Sequence, residues 1–181
     1  MQPEDEGSET MTQEETAGYP SANVVSSFSE IAEEFTKRVR RIVWCTVATV
    51  DTKDRPRTRL LHPIWETDGG LVGHIATGRH SLKEKHIARN ANVSLAYWDQ
   101  GQEQVYVDGT ARWADDAAEK RRIWDLFKDT PPPYGYDPAM IWADGVESED
   151  FGVLTLTPRR VELYGISDLM AGRPPTVWRG G

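Results

Sequence analysis

The sequence IATGRHSLK, residues 75–83, sets the pattern around which the rest of the chain is organised. It reads as a strand that ends at Thr77, a glycine-containing turn, and a helix that begins at Ser81, with Glu84 placed to complete a capping box. A helix N-terminus presents unpaired N–H groups and the positive end of the helix dipole, which favour an anion. With Lys83 in the first turn, two interpretations stay open: a phosphate-sized anion site, or an ordinary capped surface helix.

The segments on either side of this stretch have the pattern of short strands joined by tight turns. Residues rich in Val, Ile, Thr and Trp fill 42–50, and Asp68-Gly69-Gly70 is typical of a hairpin turn. Consecutive hairpins interrupted by short helices predict a mainly β, α+β fold, an antiparallel barrel of six to seven strands. Strands are predicted over 42–50, 57–66, 71–77, 92–98, 104–113, 152–157 and 159–166, and helices over 27–40, 81–90 and 116–128.

Two features of this pattern bear on function. The acidic stretch 134–150 is too long for a simple connection, so we predict a functional lid or a mobile loop there. Gly109, inside the strand 104–113, indicates a bulge or a close backbone approach. Alternation along the strand 57–66 predicts two faces, with Arg57, Arg59 and Leu61 on one and Thr58, Leu60 and His62 on the other.

Charge and composition bound the classes of function. The net charge is -8, but residues 1–22 hold six carboxylates and no Lys or Arg, which leaves 23 acidic and 21 basic side chains elsewhere. We predict a disordered acidic tail over 1–25 and one domain over 26–181. The nearly neutral body does not indicate nucleic-acid binding. The single cysteine and the lack of a long apolar run predict a cytoplasmic protein without a membrane partner.

Common catalytic signatures are missing from the sequence. His74, His80 and His86 are spaced six residues apart, which matches no usual metal-ligand spacing, so no metal site is predicted. The sequence has no Gly-x-Ser-x-Gly motif, P-loop or dinucleotide-binding glycine motif. What remains is the group of cations near residues 57–59 and 79–85. Arginine on a rigid strand can bind phosphate oxygens with two N–H groups, and lysine adds a point charge.

Several motifs resemble the pyridoxamine 5′-phosphate oxidase family of FMN-binding split barrels. Arg57 to Leu61 is similar to the family's Arg-x-x-Leu-Leu strand, and residues 104–109 match its Gln-Val-x-Val-x-Gly strand. The segment 158–164 resembles its Pro-x-Arg-x-Glu-aromatic-Trp end. The central motif is carried by Ala76-Thr77, Ser81-Leu82-Lys83, Asn90-Ala91 and Val93-Ser94-Leu95.

The resemblance implies a split barrel, a bound FMN and a homodimer. Arg57 and Lys83 would hold the FMN phosphate, with Ser81, Leu82 and Arg59 in the same cationic region. Thr58, Leu60, Leu61 and His62 would line the ring and ribityl chain, and Ala76 and Thr77 would contact the ring. Gln104 and Tyr164 would arrive from the partner subunit. The resemblance also implies an oxidoreductase acting on a small or cofactor-type redox partner, with no residue assigned as catalytic.

The departures from the family pattern leave three functions open. Leu82 replaces a basic residue, for which Arg79 is a candidate substitute, and Ala76 replaces an aromatic residue. His62 replaces a lysine, and no Arg-x-His-Asp-Arg run follows Gly165, so oxidation of vitamin B6 is not expected. The alternatives to an FMN oxidoreductase are a deazaflavin-dependent oxidoreductase using the same site and a non-catalytic flavin- or haem-binding storage, sensor or stress protein.

Overall fold

Nine strands form one sheet of mixed direction in the computed structural model, which describes residues 21–180. The strands are β1 Asn23–Val25, β2 Cys45–Val50, β3 Pro56–Leu61, β4 Pro63–Glu66, β5 Val72–Gly78, β6 Asn92–Trp98, β7 Glu103–Trp113, β8 Phe151–Gly165 and β9 Thr176–Arg179. The helices are α1 Ala32–Ile42, α2 Leu82–Arg89, α3 Ala117–Asp129 and α4 Ile166–Met170. Short 3-10 turns lie at Phe28–Glu30, Pro138–Met140 and Gly145–Glu147.

The sheet follows the order β1-β9-β8-β7-β6-β2-β3, and β4 and β5 branch from it because β5 also pairs with β8. All pairs are antiparallel except β1–β9. Within residues 21–180, β3 and β4 follow one another without being hydrogen-bonded partners, so the sheet is not closed there. The predicted mainly β fold is confirmed, but the prediction of six to seven strands, all antiparallel, is wrong.

The strand β8 organises the sheet because it pairs with three neighbours. β7 follows it along its length, β5 pairs with Phe151–Leu156, and β9 pairs with Arg160–Leu163. The predicted break at Pro158 is absent, since Pro158 lies opposite Gly109 where the register shifts. A bulge tolerates a proline that lacks an N–H. A side chain at Gly109 would stand 2.3 Å from the Thr157 carbonyl oxygen, so the predicted close approach is confirmed.

The predicted strand 57–66 is divided into β3 and β4 at His62. The alternation of Arg57, Arg59 and Leu61 is confirmed by their register, because they pair with the buried residues of β2. The prediction that His62 lies on the same face as Leu60 is wrong, because His62 is buried whereas Leu60 is 67% exposed. Pro63 starts β4 immediately after His62 and cannot donate a backbone hydrogen bond, so the ladder is interrupted there.

Two hydrophobic clusters cover the faces of the central strands. The first packs α1 against one face of the sheet and includes Phe35 and Val39 of α1, both fully buried. The second packs α3 and the segment 131–150 against the other face of β5 and β8. It contains Phe127, Trp142 and Phe151, and the last two rings meet edge to face at 5.0 Å between centroids. The segment 131–150 is therefore part of a core.

The two ends of the described chain lie together. β1 pairs with β9 in parallel, and Asn23 N–H donates to the Pro175 carbonyl at 2.9 Å. The prediction of a disordered tail through residue 25 is thus wrong for Asn23–Val25, because β9 supplies a strand edge from the far end of the sequence. The tail prediction for residues 1–20 lies outside the described residues. Among residues 21–180, no helix combines the length and hydropathy required to cross a membrane.

Candidate functional site

A cavity of about 750 Å³ with several cations in its wall opens between β3 and the start of α2. We call it the cationic cavity, and six of the predicted site residues line it. Its lining residues are Asp51, Thr52, Arg55, Arg57, Thr58, Arg59, Ser81, Leu82, Lys83 and His86. The strand and the helix start that were expected to face one another therefore do so.

Arg59 and Lys83 are the two cations of this cavity that lack a carboxylate partner within 4.0 Å in residues 21–180. Arg59 donates to the Thr49 hydroxyl at 2.8 Å, and Lys83 donates to the Ser81 hydroxyl at 2.8 Å. Burial lowers the pKa of both groups, and for Lys83 the Arg59 charge lowers the pKa further while the charge of Asp150 partly opposes this. Two partly desolvated cations without a carboxylate in direct contact form a site that an anion would stabilise.

Arg57 differs from these two because it is already paired. Its Nε lies 3.1 Å from Asp51 Oδ2, and the same oxygen accepts from Arg55 Nη2 at 2.8 Å. Hydrogen bonds led by that of Arg55 hold the pKa of Asp51 well below its usual range, so the carboxylate stays charged. Arg57 lines the cavity, as predicted, but it shares the single negative charge of Asp51 with Arg55, so its own charge is partly offset, whereas Arg59 has no carboxylate in contact.

The start of α2 is built differently from the predicted capping box. Ser81 occupies the N-cap position, but its hydroxyl donates to the Gly78 carbonyl at 3.1 Å instead of bonding a helix N–H. Glu84 forms an ion pair of 2.6 Å with Arg79, and the Arg79 guanidinium lies over the Trp113 ring. Arg79 lines neither cavity of this site. It therefore does not replace the missing basic residue at Leu82.

A polar chain beneath the cationic cavity orients Arg59. Thr49 Oγ1 accepts from Arg59 and lies 3.0 Å from Nδ1 of the buried His86. Because the Thr49 oxygen accepts the bond from Arg59, its hydroxyl proton is available to be donated to an unprotonated His86 Nδ1. Burial, together with the charge of Arg59, lowers the pKa of His86 and favours this neutral form. His86 thus supports the cation without adding a charge at neutral pH.

A second cavity, of about 460 Å³, adjoins the first and is lined mainly by aromatic and apolar side chains. We call it the aromatic cavity. Leu61 on β3 lies two residues beyond Arg59, about 7 Å along the strand. A second connection is the hydrogen bond from the Ser81 hydroxyl, which lines the cationic cavity, to the carbonyl of Gly78, which lines the aromatic cavity. The lining residues are Trp44, Leu61, His62, Ala76, Thr77, Gly78, Pro133, Tyr136, Met140, Ile141 and Trp142.

His62 has a defined tautomer in the wall of the aromatic cavity. Its Nε2 lies 2.7 Å from the carbonyl oxygen of Tyr134, which can only accept, so Nε2 carries the proton. Burial lowers the pKa of His62, so the ring is neutral at pH 7 and Nδ1 has a free lone pair. The rings of Trp44 and Tyr136 surround it at 5.3 and 5.5 Å between centroids. The lining residue His62 therefore carries an unprotonated Nδ1 and no charge.

The segment 131–150 supplies five of the eleven lining residues and is held at several points. The Tyr134 hydroxyl accepts from the Trp65 N–H at 2.7 Å, and Tyr136 N–H donates to the Phe127 carbonyl at 3.0 Å. At its end, the Asp150 carbonyl accepts from Arg79 N–H at 2.8 Å. The segment predicted to be a functional lid or a mobile loop forms one wall of this cavity, and its contacts fix it to α3 and β4.

Trp44, which the sequence interpretation did not assign to the site, reaches the aromatic cavity through a strained turn. Val43 has φ 69° and ψ -63°, and Trp44 N–H donates to the Ile42 carbonyl at 2.8 Å. This three-residue turn is rare for a β-branched residue and costs about 1–3 kcal/mol. The buried Val43 side chain, which packs in the second cluster, holds it in place. No local sequence signal marks such a turn.

Three predicted site residues line neither cavity. Leu60 points to the exposed outer face of the sheet, whereas we expected it to line the ligand. Gln104 and Tyr164 are cross-strand partners on β7 and β8, and both of their carbonyls accept from Arg38. Their side chains lie away from the two cavities within one chain. In the described part of the chain, no three His, Cys, Asp or Glu side chains are grouped so that they could hold a metal ion.

Several solved structures share the fold of this chain. A crystal structure from Clostridium acetobutylicum, of a protein related to general stress protein 26, superposes with a TM-score of 0.66 at 14% identity, covering 83% of this chain and 94% of the other. General stress protein 26 of Bacillus anthracis gives a TM-score of 0.54 at 18% identity, covering 72% and 93%. A pyridoxamine 5′-phosphate oxidase-related, FMN-binding protein of Nostoc punctiforme gives 0.58 at 17% identity, covering 83% and 88%.

At these identities the structural likeness establishes the fold alone. No curated protein matches the chain significantly in sequence. The sequence profile described as pyridoxamine 5′-phosphate oxidase matches residues 31–165, which is most of the chain and includes both cavities. The chain therefore belongs to the pyridoxamine 5′-phosphate oxidase family.

Proposed function

We propose that the protein is a flavin-dependent oxidoreductase that binds FMN across the two adjoining cavities. One observation carries the proposal: two cations without a carboxylate in direct contact, Arg59 and Lys83, lie beside a cavity whose lining is aromatic, apolar and uncharged. A ligand with an anionic end and a flat ring system matches this division. The family profile supports the same reading.

The residues present match the requirements of such a cofactor. Arg59, Lys83 and the Ser81 hydroxyl would bind the phosphate, with Arg57 and the N-terminus of α2 adding positive potential. Leu61, Ala76 and Thr77 would contact the ring, and His62 Nδ1 would accept a hydrogen bond from a ring N–H or a substrate. Bound flavin supplies the redox chemistry, whereas the chain supplies orientation, electrostatics and exclusion of water.

The test is the identity of the molecule that purifies with the protein. The absorption spectrum should show the flavin bands, and denaturation should release a compound with the mass of FMN. Reconstitution of flavin-free protein with FMN should then restore the spectrum at one equivalent per chain. A colourless protein that does not bind added FMN would refute the proposal.

A deazaflavin coenzyme is the second candidate, and the size of the cationic cavity favours it. Its volume of about 750 Å³ exceeds that of the aromatic cavity, and Arg55 and Arg57 add donors beyond the two unpaired cations. A longer anionic tail could use this extra space. Titration of the two coenzymes against the same flavin-free preparation decides between them. Binding of either without turnover of any nicotinamide or deazaflavin donor would favour the storage, sensor or stress function.

We also propose a homodimer in which Gln104 and Tyr164 serve the partner's site. Cross-strand partners share a face, so Gln104 and Tyr164 lie on the outer face with Trp98 and Leu60. Trp98 is 56% exposed, so covering its large apolar ring with a partner subunit would be favourable. Light scattering should give twice the mass of one chain, and Trp98→Glu should lower dimer and FMN content together. A monomer with full FMN content would contradict this.

A further inference from the structure

The aromatic cavity has two walls of different origin. Leu61, Ala76 and Thr77 come from β3 and β5, at the positions where the family motifs are carried. Pro133, Tyr136, Met140, Ile141 and Trp142 come from the segment 131–150, and we call these five the segment wall. If the flavin ring lies against the strand residues, the segment wall faces whatever binds beside it. The chemistry of the segment wall then decides which second ligand is accepted.

The whole lining of this cavity is uncharged. In the described chain, none of its lining residues is Asp, Glu, Lys or Arg, and His62 is neutral because burial lowers its pKa. The unpaired cations Arg59 and Lys83 lie in the other cavity, where the cofactor phosphate would use them. A phosphate or carboxylate brought into the aromatic cavity would lose hydration without gaining a cationic partner from its lining.

The rim of the segment wall is apolar as well. Met140 is 83% exposed and Ile141 is 63% exposed, although both lie at the cavity. Exposed apolar side chains at a cavity mouth gain free energy when a ligand covers them. Trp44, Tyr136 and Trp142 add ring faces and edges on which a flat ligand can pack. The segment is held by Tyr134 and Asp150, so this surface is largely formed before binding.

We propose that the segment wall determines specificity and selects an uncharged, planar aromatic molecule as the second ligand of the site. The inference rests on the proposed function, because it takes the strand wall to be occupied by the flavin ring. It differs from the substrate class after which the family is named, since a phosphorylated substrate requires a cation that this cavity does not hold.

The test compares two probes that share a ring and differ in charge. Menadione is an uncharged 1,4-naphthoquinone, and its 6-sulfonate carries one negative charge on the same bicyclic frame, at a position of the benzene ring from which amines do not displace it. Their dissociation constants for FMN-saturated protein are measured by equilibrium dialysis under non-reducing conditions, so that no turnover is needed. Menadione should bind at least about tenfold more tightly, because the sulfonate is desolvated without compensation.

A charged residue placed in the segment wall should change this preference. Ile141→Lys adds a cation at the rim and should reduce the ratio of the two constants by about fivefold or more, since the sulfonate gains a partner. Leu169→Lys is the matched control, because Leu169 is comparably exposed on α4 and does not line the cavity. Leu169→Lys should keep the FMN content of the wild type. Ile141 lines the cavity proposed for the ring, so Ile141→Lys is compared only after saturation with FMN, and the ratio of the two probe constants then does not depend on its FMN affinity.

The outcomes separate this inference from the proposed function. A clear preference for menadione that falls in Ile141→Lys alone supports the segment wall as the selecting element. Equal binding of both probes, no binding of either, or equal changes in Ile141→Lys and Leu169→Lys overturns it. FMN content is measured independently by absorbance after denaturation. A protein that binds FMN without discriminating between the probes refutes only this inference, whereas a failure to bind FMN refutes the proposed function.

Discussion

Removal of the Lys83 charge gives the sharpest test of the cationic cavity. Lys83→Met keeps most of the side-chain length and apolar stem but deletes the ammonium group. In the present structure that group donates to the Ser81 hydroxyl at 2.8 Å and has no carboxylate within 4.0 Å in residues 21–180. Burial and the Arg59 charge lower its pKa, so the charged form is held at a cost in the ligand-free protein.

The expected magnitude follows from the bond that the phosphate would form. A hydrogen bond involving a charged group contributes about 1.5–3 kcal/mol. Losing it should raise the dissociation constant of FMN about 10- to 150-fold, at 1.4 kcal/mol for each factor of ten. The ligand-free protein should behave differently, because deleting a cation close to Arg59 relieves repulsion. Its melting temperature should therefore not fall, although the affinity does.

The assay is calorimetric titration of flavin-free protein with FMN, together with thermal unfolding without ligand. Lys85→Met is the matched control, since Lys85 is exposed on the same helix and does not line the cavity. Its affinity should stay within twofold of the wild type. An unchanged affinity in Lys83→Met, or an equal loss in Lys85→Met, would show that Lys83 is an ordinary solvated surface cation.

Three further predictions concern stability. The pKa values of His62 and His74 are lowered from 6.5 mainly by burial, so below about pH 6.5 the unfolded chain binds more protons than the folded one. The free energy of unfolding should therefore decrease between pH 7.5 and pH 5.5, and urea titrations at these two pH values should measure the decrease; a constant value would contradict it. Phe35→Ala, at a fully buried ring, should cost about 3–5 kcal/mol in a urea titration, and a loss below 1 kcal/mol would place the core elsewhere. A chain starting at residue 21 should keep its melting temperature. A chain starting at residue 26 should melt at a lower temperature, because it loses the β1–β9 hydrogen bonds, which contribute about 0.5–1.5 kcal/mol each. Equal melting temperatures of the two chains would show that β1 does not stabilise the fold.

Much of the strand pattern could be predicted because it depends on near neighbours in the sequence. β6 has the predicted bounds, Asn92–Trp98, and the bulge at Gly109 is present. Alternation along 57–61 correctly placed Arg57, Arg59 and Leu61 on one face of the strand. These features follow from the two-residue repeat of a strand and from turn chemistry, both of which act over a few residues.

The partner of each charged side chain could not be predicted in the same way. Arg57 and Arg59 are equivalent in the sequence pattern, yet Asp51 pairs with the first and not with the second. Arg79 looked available for a phosphate, but Glu84 and Trp113 hold it elsewhere. Ion pairing depends on side-chain positions within a few ångströms, which local periodicity does not specify.

The sequence by itself determined the run of short strands, the cationic turn at Ser81–Lys83 and the family. Tertiary structure alone decided that residues 133–142 form the second wall of a cavity begun at Leu61, and that β1 joins β9 across almost the whole chain. The reason is physical: hydrogen bonding along a strand is a local property, whereas the composition of a cavity is fixed by which distant segments bury their apolar surface against each other.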